Sequence, residues 1–255
     1  MTHWTETLFK DQAGMFARLF DRRFDEAGED AQHLLRLVED QKGKRPDSVL
    51  DVACGTGRHV LAFAEEGCYA EGLDFSEDFI DQARDRAVRK GLEDSVDFHV
   101  HDMRELDEFD GSFDLITRFW NSLGYCDKTT DTELLSKMKG LLSDDGSVAI
   151  EMGNKEHQIK NYESSSVREV DGYLHVSRTD FDIKCSRFQT TVDVFSIEDT
   201  GYEYVETMEF KPRLYAPVEL KEMCENAGFK EVSVFGGFEG ETLSLDSPRV
   251  VVLAS

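Results

Sequence analysis

The sequence predicts an α/β protein: a doubly wound, mostly parallel sheet of seven strands that carries a small antiparallel β insert. Three observations predict it. Short apolar runs alternate with helical patterns from Ser48 to Met152, the rhythm of parallel strands joined by crossover helices. From about residue 155 to 215 that rhythm stops, and apolar residues recur at the two-residue period of half-buried strands. One more helical pattern and two apolar runs then close the chain, a terminal strand pair that a typical dinucleotide-binding fold lacks.

Residues 8–43 read as helical. Leu8, Phe9, Met15, Phe16, Leu19 and Phe20 supply one apolar face, and Leu34, Leu35, Leu37 and Val38 a second, in a helix ending near Gly43. Ser48 to Asp51 reads as a buried strand, followed by a small-residue loop and a helical pattern, Val60 to Ala64, stopped by Gly67. Tyr69 to Asp74 is a second strand. Ser76 is expected as the N-cap of the next helix, with Glu77 and Asp78 at its positive end, Arg89 and Lys90 at its negative end, and Gly91 as terminator. Val96–His101 and Phe113–Phe119 read as the third and fourth strands. Thr129, Thr130 and Asp131 are expected to cap a helix, Ser143 to Gly146 to form a turn, and Ser147 to Met152 the fifth strand. In the insert, Tyr173–Val176, Phe188–Ile197 and Tyr202–Phe210 read as antiparallel strands, with a hairpin turn at Glu198-Asp199-Thr200-Gly201. Pro217 opens the last helix, and Glu231–Phe235 and Arg249–Leu253 are the closing strands.

With 255 residues the chain suits one large domain with a smaller one embedded: residues 1–154 and 216–255 as the α/β domain, 155–215 as an inserted β subdomain covering the substrate. No apolar run is long enough to span a membrane, and Met1 to Glu6 lack the basic and apolar regions of a secretion signal. Five scattered cysteines suggest no disulfide framework, so the expected compartment is the reducing cytoplasm. Fifty-three acids oppose 29 bases, for a net charge of −24 spread along the chain. Self-repulsion on that scale is expected to suit a salt-rich cytosol, where screening removes most of it, and a halophilic source; the other reading is an ordinary acidic protein kept soluble by its charge. It also excludes nucleic acid as the expected partner, because phosphate binding needs a basic footprint.

The chemistry concentrates at Asp51-Val52-Ala53-Cys54-Gly55-Thr56-Gly57-Arg58-His59. Glycines at a strand-to-helix turn let backbone N–H groups approach a ligand, and the helix N-terminus adds partial positive charge. Asp74, at the end of the next strand, is placed to accept hydrogen bonds from a ribose diol. Val60 stands where the dinucleotide fingerprint wants a third small residue. Asp51-x-Ala53-x-Gly55-x-Gly57 instead resembles the signature loop of class I S-adenosylmethionine-dependent methyltransferases, and Ala53 to His59 is similar to that loop in small-molecule members of the family. The resemblance is strong over about residues 45–152 and weak at both ends. It implies S-adenosyl-L-methionine as cofactor, held by Asp51, Ala53, Cys54, Gly55, Gly57, Arg58, Asp74, Phe75, Asp102, Met103 and Phe119. In it Asp74 is the ribose-binding acid, Asp102 meets the adenine amine and Met103 the adenine ring. Arg58 meets either the cofactor's carboxylate or a surface acid. Family members commonly carry a Tyr-Asp pair in their N-terminal helices, and Phe20-Asp21 holds that place here without the hydroxyl.

The resemblance implies methyl transfer to a small molecule, at nitrogen or oxygen, an in-line displacement in which the protein mainly positions the acceptor. Asn121, Tyr125 and Arg213 are the expected acceptor-side residues, with Arg213 either binding an anionic acceptor or pairing with a surface carboxylate. An amine arriving deprotonated needs no base; a hydroxyl does, and Tyr125, His59 and Asp21 are the candidates. Trp120 and Tyr125 either line the pocket and favour a cationic centre or are plain core aromatics. His99 and His101 share a strand face, but no second cluster completes a ligand set, so no metal is expected. Two rival functions stay open: a nicotinamide-dependent oxidoreductase, and a non-catalytic protein that binds S-adenosylmethionine. A homodimer through the insert is also open.

Overall fold

The computed structural model describes residues 4–12, 14 and 26–255. Met15, Phe16, Leu19, Phe20 and Asp21, and with them the Phe20-Asp21 position, lie outside the described residues. A short helix, α1 (Trp4–Glu6), runs into a wider π-type turn, Thr7–Asp11. Helix α2 (Glu26–Lys42) buries Leu34, Leu35, Leu37 and Val38 as the periodicity requires and ends at Gly43, whose φ of +76° suits glycine.

The main sheet contains β1 (Ser48–Val52), β2 (Tyr69–Asp74), β3 (Val96–Val100), β4 (Phe113–Arg118), β5 (Leu142–Gly153), β10 (Val232–Phe235) and β11 (Arg249–Ala254). Its order is β10-β11-β5-β4-β1-β2-β3. The first five strands in chain order are parallel to one another, and β11 enters antiparallel between β5 and β10. Apolar residues alternate between two cores. Val49, Leu115, Ala149 and Val251 face α2, α3 (Arg58–Glu65) and α4 (Glu77–Lys90). Leu50, Ile116, Val148, Ile150 and Val252 face α5 (Lys128–Gly140) and α7 (Pro217–Asn226). Burial on both faces is why these strands read as continuous apolar runs.

The second sheet is an antiparallel meander, β6 (Ser165–Val170), β7 (Tyr173–Asp182), β8 (Arg187–Glu198) and β9 (Gly201–Phe210), in that order. The β8–β9 hairpin turns where expected, with Glu198 opposite Gly201. β6 and the helix α6 (Lys155–Lys160) were not legible, since both are short and half exposed.

Three local expectations are corrected. Ser143–Gly146 is not a free turn: β5 starts at Leu142 opposite Phe113, bulges, and resumes with Ser147 opposite Leu115. The cap of α5 is Asp127, which accepts from the Thr130 N–H, so Asp131 is released for a buried role. Ser76 occupies the N-cap position of α4, but its hydroxyl makes no capping bond there.

Between the two sheets lies a third apolar cluster. Leu8 and Phe9 pack on Phe79 of α4 and on Val192, Val194 and Met208 of the second sheet. Gln12 Nε2 adds a hydrogen bond to the Thr207 carbonyl at 2.9 Å. The amino-terminal segment is thereby wedged over the carboxyl ends of the main strands.

Candidate functional site

Strand order reverses at β1, and a crevice opens there, beyond the carboxyl ends of β1, β2, β3 and β4. The cavity holds about 1080 Å³ including its open mouth. Of the expected cofactor residues it is lined by Asp51, Ala53, Cys54, Gly55, Arg58, Asp74, Phe75, Asp102, Met103 and Phe119.

The β1–α3 turn supplies its floor. Ala53 and Gly55 both take positive φ, +63° and +56°. Gly57 does not line the cavity; it sits at φ +79° as the N-cap of α3, tight against Ala83 and Phe98. Its contribution is to turn the chain so that Thr56, Arg58 and His59 face the crevice.

Asp74 is buried, and its carboxylate accepts from the Gly55 N–H at 3.0 Å and the Ser76 N–H at 2.9 Å. Burial pushes its pKa up to about 6, against the pull of those amides. Asp51 accepts the Thr117 hydroxyl at 2.7 Å, and burial lifts it to about 7 despite that bond and the nearby Arg58 charge. Burial also acts on Asp102, but the Arg104 guanidinium, forked onto its carboxylate, outweighs it and holds the pKa below the ordinary value. His59, fully buried with Asp30 3.9 Å away and edge-on to Phe119, is lowered to about 4 by burial and is neutral at physiological pH. The Arg58 guanidinium lies 3.8 Å from the centre of the Trp120 ring.

Of the three expected acceptor-side residues only Tyr125 lines this cavity. Burial raises its phenol well above the ordinary value, so it keeps its proton at neutral pH and is a donor there, not a base. Asn121 points away. Trp120 and Asn121 both have left-handed backbone, φ +61° and +59°, and this turns the Asn121 side chain to accept from the Gly153 N–H at 2.7 Å. Arg213 is also elsewhere: its guanidinium donates to Glu219 Oε1 at 3.1 Å and lies against the Tyr215 ring. Asn121 borders instead a second cleft, between α6 and the second sheet, with Phe188, Val192 and Leu214.

Sequence reasoning did not assign Thr5, Glu6 and Phe9, which roof the cavity from the amino-terminal segment, or Ser122 and Cys126 in its wall. It also missed Arg118 and Glu151, buried charges at the ends of β4 and β5. Their signal was present: a charged residue inside an apolar strand run is rarely left without a task. Glu151 accepts from the Trp120 N–H at 2.9 Å and so holds the strained turn. Among the described residues, no group of three or more His, Cys, Asp or Glu is arranged to hold a metal ion.

A seven-stranded sheet of this order, closed by an antiparallel β10–β11 pair and loaded at the carboxyl ends of β1 to β4, defines the class I methyltransferase fold. Residues 49–146 match the family described as "Methyltransferase domain". A Geobacillus sp. (strain WCH70) protein named as a methyltransferase is 34% identical over 137 residues, 51% of this chain and 53% of that one. The dTDP-3-amino-3,4,6-trideoxy-alpha-D-glucopyranose N,N-dimethyltransferase of Streptomyces venezuelae is 32% identical over 121 residues, 48% of this chain and 47% of that one. The aligned stretch spans about half the length of these curated relatives. An S-adenosylmethionine-dependent methyltransferase from Clostridium acetobutylicum ATCC 824 shares the fold, with a TM-score of 0.79 over 95% of this chain and 98% of that one at 16% identity.

Proposed function

We propose that this protein transfers a methyl group from S-adenosyl-L-methionine to nitrogen or oxygen of a small molecule. One observation carries the reading: four consecutive strand ends deliver Asp51, Asp74, Asp102-Met103 and Phe119 to one cavity. The residues present suit the cofactor chemically. Asp74 offers a buried carboxylate to a ribose diol, Asp102, Met103 and Phe75 an acid, a thioether and a ring to adenine, and Arg58 a cation to a carboxylate. When bound, the cofactor supplies the activated methyl group.

The chain's own residues then exclude water and orient the acceptor. Phe9, Trp120 and Tyr125 form an aromatic wall that favours a cationic or methylated centre. A deprotonated amine needs no base. A hydroxyl acceptor needs a base; neutral His59 lines the cavity, but burial lowers it to about 4 and leaves it a weak one. The Streptomyces venezuelae relative, by its name an amino-sugar N,N-dimethyltransferase, supports an amine on a small polar molecule. Residues 155–215 act as a subdomain that backs the amino-terminal roof through Val192, Val194 and Met208, covering the acceptor indirectly. The setting is cytoplasmic.

Calorimetry is expected to show binding of S-adenosylhomocysteine and none of NAD, and methyl-labelled S-adenosylmethionine should label a component of a metabolite pool. NAD binding in preference would make the site an oxidoreductase's. Cofactor binding with no labelled product from any pool would make it a non-catalytic binding protein.

We also propose that the −24 charge adapts the protein to high salt. Screening shortens the range of repulsion from about 30 Å at 0.01 M to about 3 Å at 1 M salt. The melting temperature is therefore expected to climb steeply from low to molar KCl. A flat dependence would reduce the acid excess to an ordinary solubility feature.

A further inference from the structure

Behind the cavity wall lies a cluster of three fully buried polar side chains: Arg118 at the end of β4, Asp131 on α5 and Tyr215 on the segment returning from the second sheet. We propose that this cluster is a positioning device. It fixes the 119–126 loop, which forms one wall of the cavity, and ties that loop to the second sheet. The use of the wall for an acceptor rests on the methyl-transfer reading; the positioning does not.

The connections form a chain. Arg118 Nη2 donates to the Ser122 carbonyl at 2.5 Å and contacts Met103 Sδ at 3.4 Å. Ser122 and Met103 both line the cavity, one after β4 and the other after β3, so one guanidinium nitrogen braces two of its walls. The same nitrogen lies 3.6 Å from Asp131 Oδ1. Asp131 Oδ2 accepts from the Gly124 N–H at 3.0 Å and from the Tyr215 hydroxyl at 2.7 Å. The Arg213 N–H in turn donates to the Gly124 carbonyl at 2.8 Å. Gly124 has a φ of +107°, and a Cβ there would stand 2.1 Å from the Arg213 carbonyl oxygen. The loop and the return segment are in backbone contact, with the carboxylate of Asp131 holding both.

Stability alone does not account for the cluster. Nε and Nη1 of Arg118, Oδ1 of Asp131 and Oγ of Ser122 are buried with no hydrogen-bond partner. Burial lowers the pKa of Arg118 and raises that of Asp131, so the site resists the charges it contains. Apolar side chains of similar volume stabilise such positions as well or better. What the charged set adds is direction. It selects one arrangement of a loop that already holds two left-handed residues, Trp120 and Asn121.

Tyr215→Phe removes only the hydroxyl and keeps the packing, so it tests the device in the folded protein. The readouts are amide hydrogen exchange at residues 119–126 and, in a Trp4→Phe background, the emission of Trp120. Exchange across 119–126 is expected to speed up at least tenfold with β1 unchanged, the Trp120 emission to shift, and S-adenosylhomocysteine affinity to stay within threefold. Arg118→Lys, which keeps the charge but not the fork, should do the same. If exchange at 119–126 is unchanged in Tyr215→Phe, or rises by the same factor in β1, the cluster is a fold element only and the proposal fails. None of these readouts needs a methyl acceptor, so failure of the positioning role and failure of methyl transfer are told apart.

Discussion

Gly57→Ala lowers the melting temperature by roughly 5–15 °C and weakens S-adenosylhomocysteine binding together with it. Two effects add. The residue has a φ of +79°, in the left-handed region where a Cβ costs about 1 kcal/mol. The added carbon would stand 2.8 Å from Ala83 Cβ and 2.8 Å from Phe98 Cε1, inside the core between α4 and β3. Overpacking of that kind costs about 1–3 kcal/mol more, and each kcal/mol moves the midpoint of a chain this size by about 2–4 °C. Relief requires shifting the start of α3, which carries Arg58 and His59 into the cavity. Gly67→Ala is the matched control: its φ is +90°, but nothing lies within 4 Å of the added carbon. Thermal melts should show a drop several-fold larger for Gly57→Ala than for Gly67→Ala. Equal drops would mean that conformation alone, and not the packing of the turn, makes glycine necessary there.

The parts of the fold legible in the sequence are those fixed by local pattern. Strands β1, β2, β4 and β11 are largely buried on both faces, so they read as mainly apolar runs, and Asp51 and Asp74 stand out at the ends of the first two. What was not legible depends on distant partners or on one backbone angle. Asn121 follows β4 as expected, yet its side chain is turned onto Gly153 by left-handed φ values that no residue type there announces. Arg213 leaves the cavity because Glu219, six residues on, captures it. Phe9 reaches the cavity only because the second sheet, nearly two hundred residues later, backs it. Asp131 was expected to cap a helix, the usual place for an aspartate near a helix start. Asp127 takes that task, and burial against Arg118 and Tyr215 gives Asp131 another. The 143–146 bulge has turn composition because a bulge leaves residues unpaired, as a turn does.

Asp74→Ala is expected to weaken S-adenosylhomocysteine binding roughly tenfold to a hundredfold, the equivalent of about 1.5–3 kcal/mol for a lost hydrogen bond to a charged group. The carboxylate is the buried acid at the end of β2 that faces the cavity. It also holds the Gly55 N–H, so its removal loosens the turn as well as deleting the acceptor. The pH dependence separates these two contributions. In the free protein burial lifts Asp74 to about 6, above its ordinary value. Diol hydroxyls donate to the ionised form, so binding must first remove the proton below that pH. Affinity should therefore rise as pH climbs from 5 to 7 and level off above. The same raised pKa has the opposite consequence for the free protein: ionisation is disfavoured by folding, and this group's contribution to stability falls as pH rises from about 4 to 6. Asp51, lifted to about 7, acts in the same direction at slightly higher pH. Asp74→Asn keeps the shape and one of the two oxygen acceptors, enough for either the Gly55 or the Ser76 N–H, and cannot titrate. Calorimetry across pH 5–8 should give a rising curve for the wild type and a much flatter one for Asp74→Asn. A curve of unchanged slope in that variant would assign the titration to Asp51, and wild-type affinity in Asp74→Ala would remove Asp74 from the cofactor site.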